Sequence, residues 1–125
     1  MEEYFTGRSI ELESAAATAS RIVVGKLVNA GQPDAGAPGQ TYYDNANAEI
    51  VRWLYGAPRE PERPKTVSFA YTVQKLPAAA TEQSPAVGQT YILFLTERAG
   101  GTMRAAKILP AEEKHLRAVE RALRR

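Results

Sequence analysis

The chain has 125 residues, 44% hydrophobic and 24% charged, with a formal net charge of +2 and no cysteine. That length and balance suit one globular domain and exclude global disorder. The missing cysteine excludes disulfide stapling, thiolate zinc sites and cysteine nucleophiles, and it leaves the compartment open.

Residues 1–8 read as a flexible lead-in. Met1-Glu2-Glu3 is acidic and no apolar stretch of signal-peptide type follows it. Residues 9–125 read as a single domain. Alanine content predicts a short helix over 9–19, with Ile10, Leu12 and the alanines to bury. Residues 21–30 (Arg-Ile-Val-Val-Gly-Lys-Leu-Val-Asn-Ala) form a strand. Gly25 in its middle marks a bend, where one strand serves two sheets. The Gly/Pro-rich residues 31–39 are expected to be a flexible loop.

Residues 42–55 read as a long second strand. Asn45, Asn47, Glu49, Val51, Trp53 and Tyr55 fall on one side, with Ile50 and Leu54 opposite. The proline-rich, charged residues 57–64 cannot join a sheet interior. Residues 66–74 alternate cleanly, Val67, Phe69, Tyr71 and Val73 inward and Thr66, Ser68, Ala70, Thr72 and Gln74 outward. An Ala/Pro/Ser loop over 76–87 leads to the most apolar run of the chain, residues 88–96. There Tyr91, Leu93 and Leu95 point one way and Ile92 and Phe94 the other, so both faces must be covered. At about eight residues this run is too short to span a membrane and too β-branched and aromatic for a buried helix.

Arg98-Ala-Gly-Gly101 predicts a tight reversal into a fifth strand, 102–109, antiparallel to the fourth. Pro110 is expected to start a helix occupying 111–125, acidic in its first turn and basic in its last, as the helix dipole favours. Leu116, Val119 and Leu123, with Ala122 beside them, give it a narrow apolar stripe. Residues 98–125 hold eight Lys/Arg against three Glu, a net of +5, leaving −3 for the remainder. Such an end suits phosphate, an acidic partner or a membrane surface, although a solvated helix face explains it more simply.

The elements add up to a mainly β chain with flanking helices. The expected fold is a five-stranded antiparallel barrel of the oligonucleotide/oligosaccharide-binding (OB) type, with a C-terminal helix and a short N-terminal one. A bent first strand and long irregular loops fit that architecture better than a seven-strand sandwich.

Four stretches in order then resemble the netrin-like, or metalloproteinase-inhibitor-like, OB modules, especially their bacterial relatives. They are Ala19-Ser-Arg-Ile-Val-Val-Gly-Lys-Leu27, Ile50-Val-Arg-Trp-Leu-Tyr-Gly56, Val87-Gly-Gln-Thr-Tyr-Ile-Leu-Phe-Leu95 and Ile108-Leu-Pro-Ala-Glu112. The resemblance implies an OB barrel, a partner-binding habit and an extracytoplasmic location. It does not carry protease inhibition, because the family chelates the catalytic zinc with an N-terminal cysteine and this chain has none. Tyr55 also stands where the related pattern has lysine.

No chemistry-bearing constellation emerges. His115 is the only histidine and reads as a packing or surface residue. The serines lie in no nucleophile elbow, and no glycine loop cradles a phosphate. Asp44, Asn45, Asn47 and Glu49 are oxygen-rich, but their spacing is not that of a calcium loop and they read as a polar strand edge. The expectation is therefore no enzyme, no cofactor and no metal.

Tyr42, Tyr43, Trp53, Tyr55, Phe69 and Tyr71 fall on the second and third strands, where OB folds stack bases or sugars. Alternation assigns Trp53, Phe69 and Tyr71 to the core and leaves Tyr42 and Tyr43 exposed. The candidate interaction surface is thus Tyr42, Tyr43, Arg117, Arg121 and Arg124. A non-enzymatic module with a protein partner is the leading reading. A single-stranded nucleic-acid or carbohydrate binder is the alternative, disfavoured because few basic residues lie among the aromatics.

Overall fold

The computed structural model describes residues 12–35, 40–59, 63–74, 85–97 and 102–124. In chain order the elements are α1 (Leu12–Thr18), β1 (Arg21–Asn29), β2 (Gln32–Ala35), β3 (Gln40–Tyr55), β4 (Thr66–Gln74), β5 (Thr90–Glu97), β6 (Met103–Pro110) and α2 (Glu113–Leu123). Strands β1, β5, β6, β4 and β3 follow one another round a closed five-stranded barrel, because β1 pairs with both β5 and β3. The closing pair, β4 with β6, is parallel and meets at a single position, Ala70 opposite Arg104. The barrel is therefore mixed, where an all-antiparallel one was expected.

β5 is covered on both faces, as its composition demands. Tyr91, Leu93 and Leu95 join the barrel interior with Val23, Leu27, Phe69, Tyr71 and Ile108. Ile92 and Phe94 join an outer layer with Ile22, Val24 and Leu109, closed by Ala15, Ala16 and Ala19 beside α1 and Val119 of α2. Leu116, Ala122 and Leu123 pack against that layer, so the narrow apolar stripe is the docking face of α2. The helix begins three residues after Pro110, which ends β6.

The bend in β1 has a steric origin. A Cβ on Gly25 would sit 3.1 Å from the Ala48 Cβ and 3.4 Å from Leu93 Cδ1, so glycine lets β3 come close to β1 there without Ala48 having to give by a few tenths of an ångström. Shifts of register distribute the curvature. Between Val24↔Arg52 and Gly25↔Ile50, Val51 has no partner, and between Ile22↔Tyr55 and Val23↔Trp53, Leu54 has none. Each unpaired residue reverses the inside-outside alternation. Ile50 and Trp53 thus pack against the interior while Val51 is 64% exposed, which corrects the expectation that Val51 and Trp53 share a face.

Part of the stretch expected to be loop is strand. Gln32–Ala35 pairs with Thr41–Asp44 as a short outer strand, and Pro33 is tolerated because β2 lies at the sheet edge. β5 and β6 are antiparallel as expected. The reversal at 98–101 lies outside the described residues, as do the lead-in over 1–8, residues 9–11, 36–39 and 75–84, and Arg125.

Two glycines with positive φ give a test of close packing. At Gly56 (φ 75°) a Cβ would fall 2.3 Å from the Ser20 carbonyl oxygen, whereas at Gly88 (φ 92°) it would meet nothing within 4 Å. Gly88→Ala should cost about 1–2 kcal/mol of backbone strain alone. Gly56→Ala should cost roughly 1–3 kcal/mol more from overpacking. Denaturant melts of the two variants check the difference, and equal losses would show that the Gly56 contact is relieved without cost.

Candidate functional site

The sequence-derived surface residues divide between two places. Tyr43 lies near the start of β3, half-buried, with its ring stacked on Tyr71 at 5.0 Å between centroids and 7° between planes. Tyr42, the next residue along, is half-buried too and pairs with Thr72 while Tyr43 pairs with Tyr71, so alternation directs the two rings to opposite faces. Arg117, Arg121 and Arg124 share the polar side of α2, all exposed. The structure brings the three arginines together, but not the two tyrosines to them. α2 meets β3 at its far end, where Arg52 and Glu120 approach to 3.6 Å. Arg52 is nine residues from Tyr43, up to about 30 Å along the strand.

The charge on α2 is largely matched. Arg117 pairs with Glu113 one turn before it, Lys114 lies 3.8 Å from Glu112, and Glu120 faces Arg52. These are exposed pairs and each is worth well under about 1 kcal/mol. They do lower the local field, leaving Arg121 and Arg124, among the described residues, as the cations at the helix C-terminal end, where the dipole accommodates them.

The oxygen-rich group on β3 is used in the backbone. Asn45 has φ 58°, a left-handed conformation that asparagine tolerates, at the register shift between Tyr43 and Ala46. Asp44 Oδ1 accepts the Asn45 N–H at 2.9 Å, Asn47 Nδ2 donates to the Asn45 carbonyl, and Ser68 Oγ donates to Asn47 Oδ1 at 2.6 Å. These bonds hold the bulge and tie β3 to β4. Among the described residues no three of His, Asp and Glu come close enough to hold a metal ion.

Three buried polar groups serve the structure; the sequence placed Tyr71 in the core and His115 as a packing or surface residue, and only Lys107 escaped it. Lys107 is 1% exposed and lies opposite Phe94, on the helix-covered side of β6. It faces that way because the shift between Phe94 and Leu95 leaves Ala106 unpaired, putting Lys107 out of phase with the inward Ala105. A lysine after two alanines carries no sequence mark of such a shift. His115 is 6% exposed at the start of α2, where its Nδ1–H donates to the Pro110 carbonyl at 2.8 Å. Tyr71 donates its hydroxyl to the Ala30 carbonyl and fastens the β1–β2 connection to the barrel. No buried side-chain nitrogen or oxygen among the described residues lacks a hydrogen-bond partner.

Four large apolar side chains among the described residues stand exposed: Val28, Val51, Tyr55 and Val87. Val28 and Val87 sit at one rim, where Gly88 N–H donates to the Leu27 carbonyl at 2.8 Å and Leu27 N–H to the Gln89 carbonyl at 2.9 Å. Val51 and Tyr55 lie on the far half of β3, beside the Arg52–Glu120 contact. No helix among the described residues is long and apolar enough to cross a membrane. No protein-family model matches the chain, and no curated protein is similar to it.

Burial, and then the nearby Tyr43 and Tyr91, push the Tyr71 phenol well above its usual 10.0. A raised folded-state value means full stability below the unfolded value, lost as pH climbs from about 10 because the unfolded phenol ionises first. Spectrophotometric titration should show one tyrosine ionising only with unfolding. Tyr71→Phe should lower stability at neutral pH by about 0.5–1.5 kcal/mol and flatten the alkaline loss. An unchanged alkaline slope in Tyr71→Phe would reassign that loss to another group.

Proposed function

We propose that this chain is a non-enzymatic binding module of the OB type, of netrin-like or metalloproteinase-inhibitor-like kind, with a protein as its partner. The observation that carries the reading is the division along β3. Tyr43 stacks on Tyr71 at one end of the strand, while α2, which carries the arginines, meets the other end through Glu120 and Arg52. A single-strand binder needs stacking rings and phosphate-neutralising cations along one groove, and here they lie up to about 30 Å apart. The strand order supports the OB assignment. Leaving out β2, the five barrel strands run first, second, third, fifth, fourth, with a thin parallel seam between third and fifth, as in a partly open Greek-key barrel. Exposed valines and a tyrosine, rather than a row of rings, favour protein over nucleic acid or carbohydrate. Without cysteine the family's zinc-chelating inhibition does not transfer, so the module binds without inhibiting by that route.

A salt titration of a labelled single-stranded oligonucleotide against wild type, Tyr42→Ala and Tyr43→Ala tests the reading. Weak binding is expected, vanishing as salt rises through the physiological range and indifferent to either tyrosine. Salt-resistant binding that loses about 1–3 kcal/mol with one of the tyrosines would establish a stacking platform and overturn the protein-partner assignment.

A further inference from the structure

We infer that the far half of β3 is a docking surface for an acidic, extended protein segment carrying apolar side chains, an inference that rests on the binding-module reading above. Val51 is 64% and Tyr55 49% exposed, and among the described residues β3 is the one strand that presents two exposed large apolar side chains. They stand four residues apart, about 13 Å along the strand. Val51 is turned outward by the shift of register at β1, so the same irregularity that curves the barrel creates the apolar contact.

Cations surround this pair on β3, on β1, just past the end of α2 and just before β4. Arg52 lies between them on β3. Arg124 stands one helical turn beyond Glu120, the residue that meets Arg52 at 3.6 Å, and so lies on the same side of α2. Arg21 adjoins Ile22, the partner of Tyr55, and a Cβ on Gly56 would lie 3.1 Å from its Cγ. Lys65 is exposed and its carbonyl accepts the Ile50 N–H at 2.8 Å, one residue from Val51. Against these four cations the same elements set Glu120, already paired with Arg52, and Glu49, which lies across from Lys26. Among the described residues the cations around this apolar pair outnumber the carboxylates four to two, which complements a segment with carboxylates around apolar anchors. One ring and one aliphatic side chain suit leucine-like anchors and do not form a stack for successive bases.

The test uses a labelled extended peptide of glutamates with two leucines four residues apart, measured by fluorescence anisotropy. An all-glutamate peptide and a single-stranded oligonucleotide serve as comparison probes. The leucine peptide should bind wild type at least roughly tenfold tighter than the all-glutamate peptide. Val51→Glu and Arg124→Glu should each weaken it by roughly tenfold, while Arg104→Glu, an exposed reversal on β6, should leave it unchanged. Val51→Ser serves if Val51→Glu fails to give a wild-type melting curve, and it too should weaken binding. No binding of the leucine peptide, equal binding of the all-glutamate peptide, or equal loss with Arg104→Glu would each overturn the surface. Leucine-peptide binding indifferent to Val51 and Arg124 also overturns it, yet leaves the module reading standing. Oligonucleotide binding that resists salt and depends on Tyr42 or Tyr43 is the separate result that removes the module reading itself.

Discussion

A strand that is apolar on both faces has to be covered on both, and β5 imposes that requirement on the whole molecule. Five consecutive side chains, Tyr91 to Leu95, are buried. At about 1.5–3 kcal/mol each, they contribute on the order of 10 kcal/mol, comparable with the entire net stability of a domain. An edge position would forfeit half of that. The barrel interior takes three of them, and the two helices exist in their present places to cover the other two. β1 and β6, as the neighbours of β5, inherit the same two-sidedness, which is why Ile22, Val24 and Leu109 belong to the helix layer while Val23 and Ile108 belong to the barrel.

What the sequence made legible follows from how far each signal is local. The two-faced run of β5 and the stripe of α2 each sit in one continuous stretch, and the structure bears them out; the period of β4 holds for Val67, Phe69 and Tyr71 inward and for exposed Thr66 and Ser68, but Ala70 and Thr72, expected outward, are buried. Gly25 was readable as a bend because glycine is the residue that permits close approach. The shifts of register were not readable. Val51, Leu54 and Ala106 are ordinary residues for strands, and only pairing with β1 or β5 reveals that each lacks a partner. β2 was hidden by its composition, since Gln-Pro-Asp-Ala is loop-like until β3 supplies a neighbour. The parallel seam of β4 and β6 is a property of closure and has no local mark at all.

These hidden irregularities also shape the surface. Had β3 kept strict alternation, Val51 and Trp53 would share a face and the far half of the strand would present a regular edge. The two unpaired residues twist it instead, and Pro33 blunts the outer strand at the other end of the sheet. Both are features that discourage edge-to-edge association between copies. Of the arginines of α2, the sequence could place all three on one face, but not say which end of β3 that face would meet.

That meeting is fixed by polar groups as much as by apolar ones. The stripe of α2 is narrow, with Val119 its one fully buried aliphatic side chain and Leu116, Ala122 and Leu123 only partly covered. Such a contact alone would let the helix slide or rotate on the sheet, because apolar contacts are not directional. The His115 ring bonded to the Pro110 carbonyl pins its first turn to the end of β6. That directional bond favours one register of the helix, the one in which Glu120 meets Arg52 on the far half of β3. For the docking proposed above, the far half of β3 would thus be set by contacts already made within the chain, so ordering it would add little to the cost of binding.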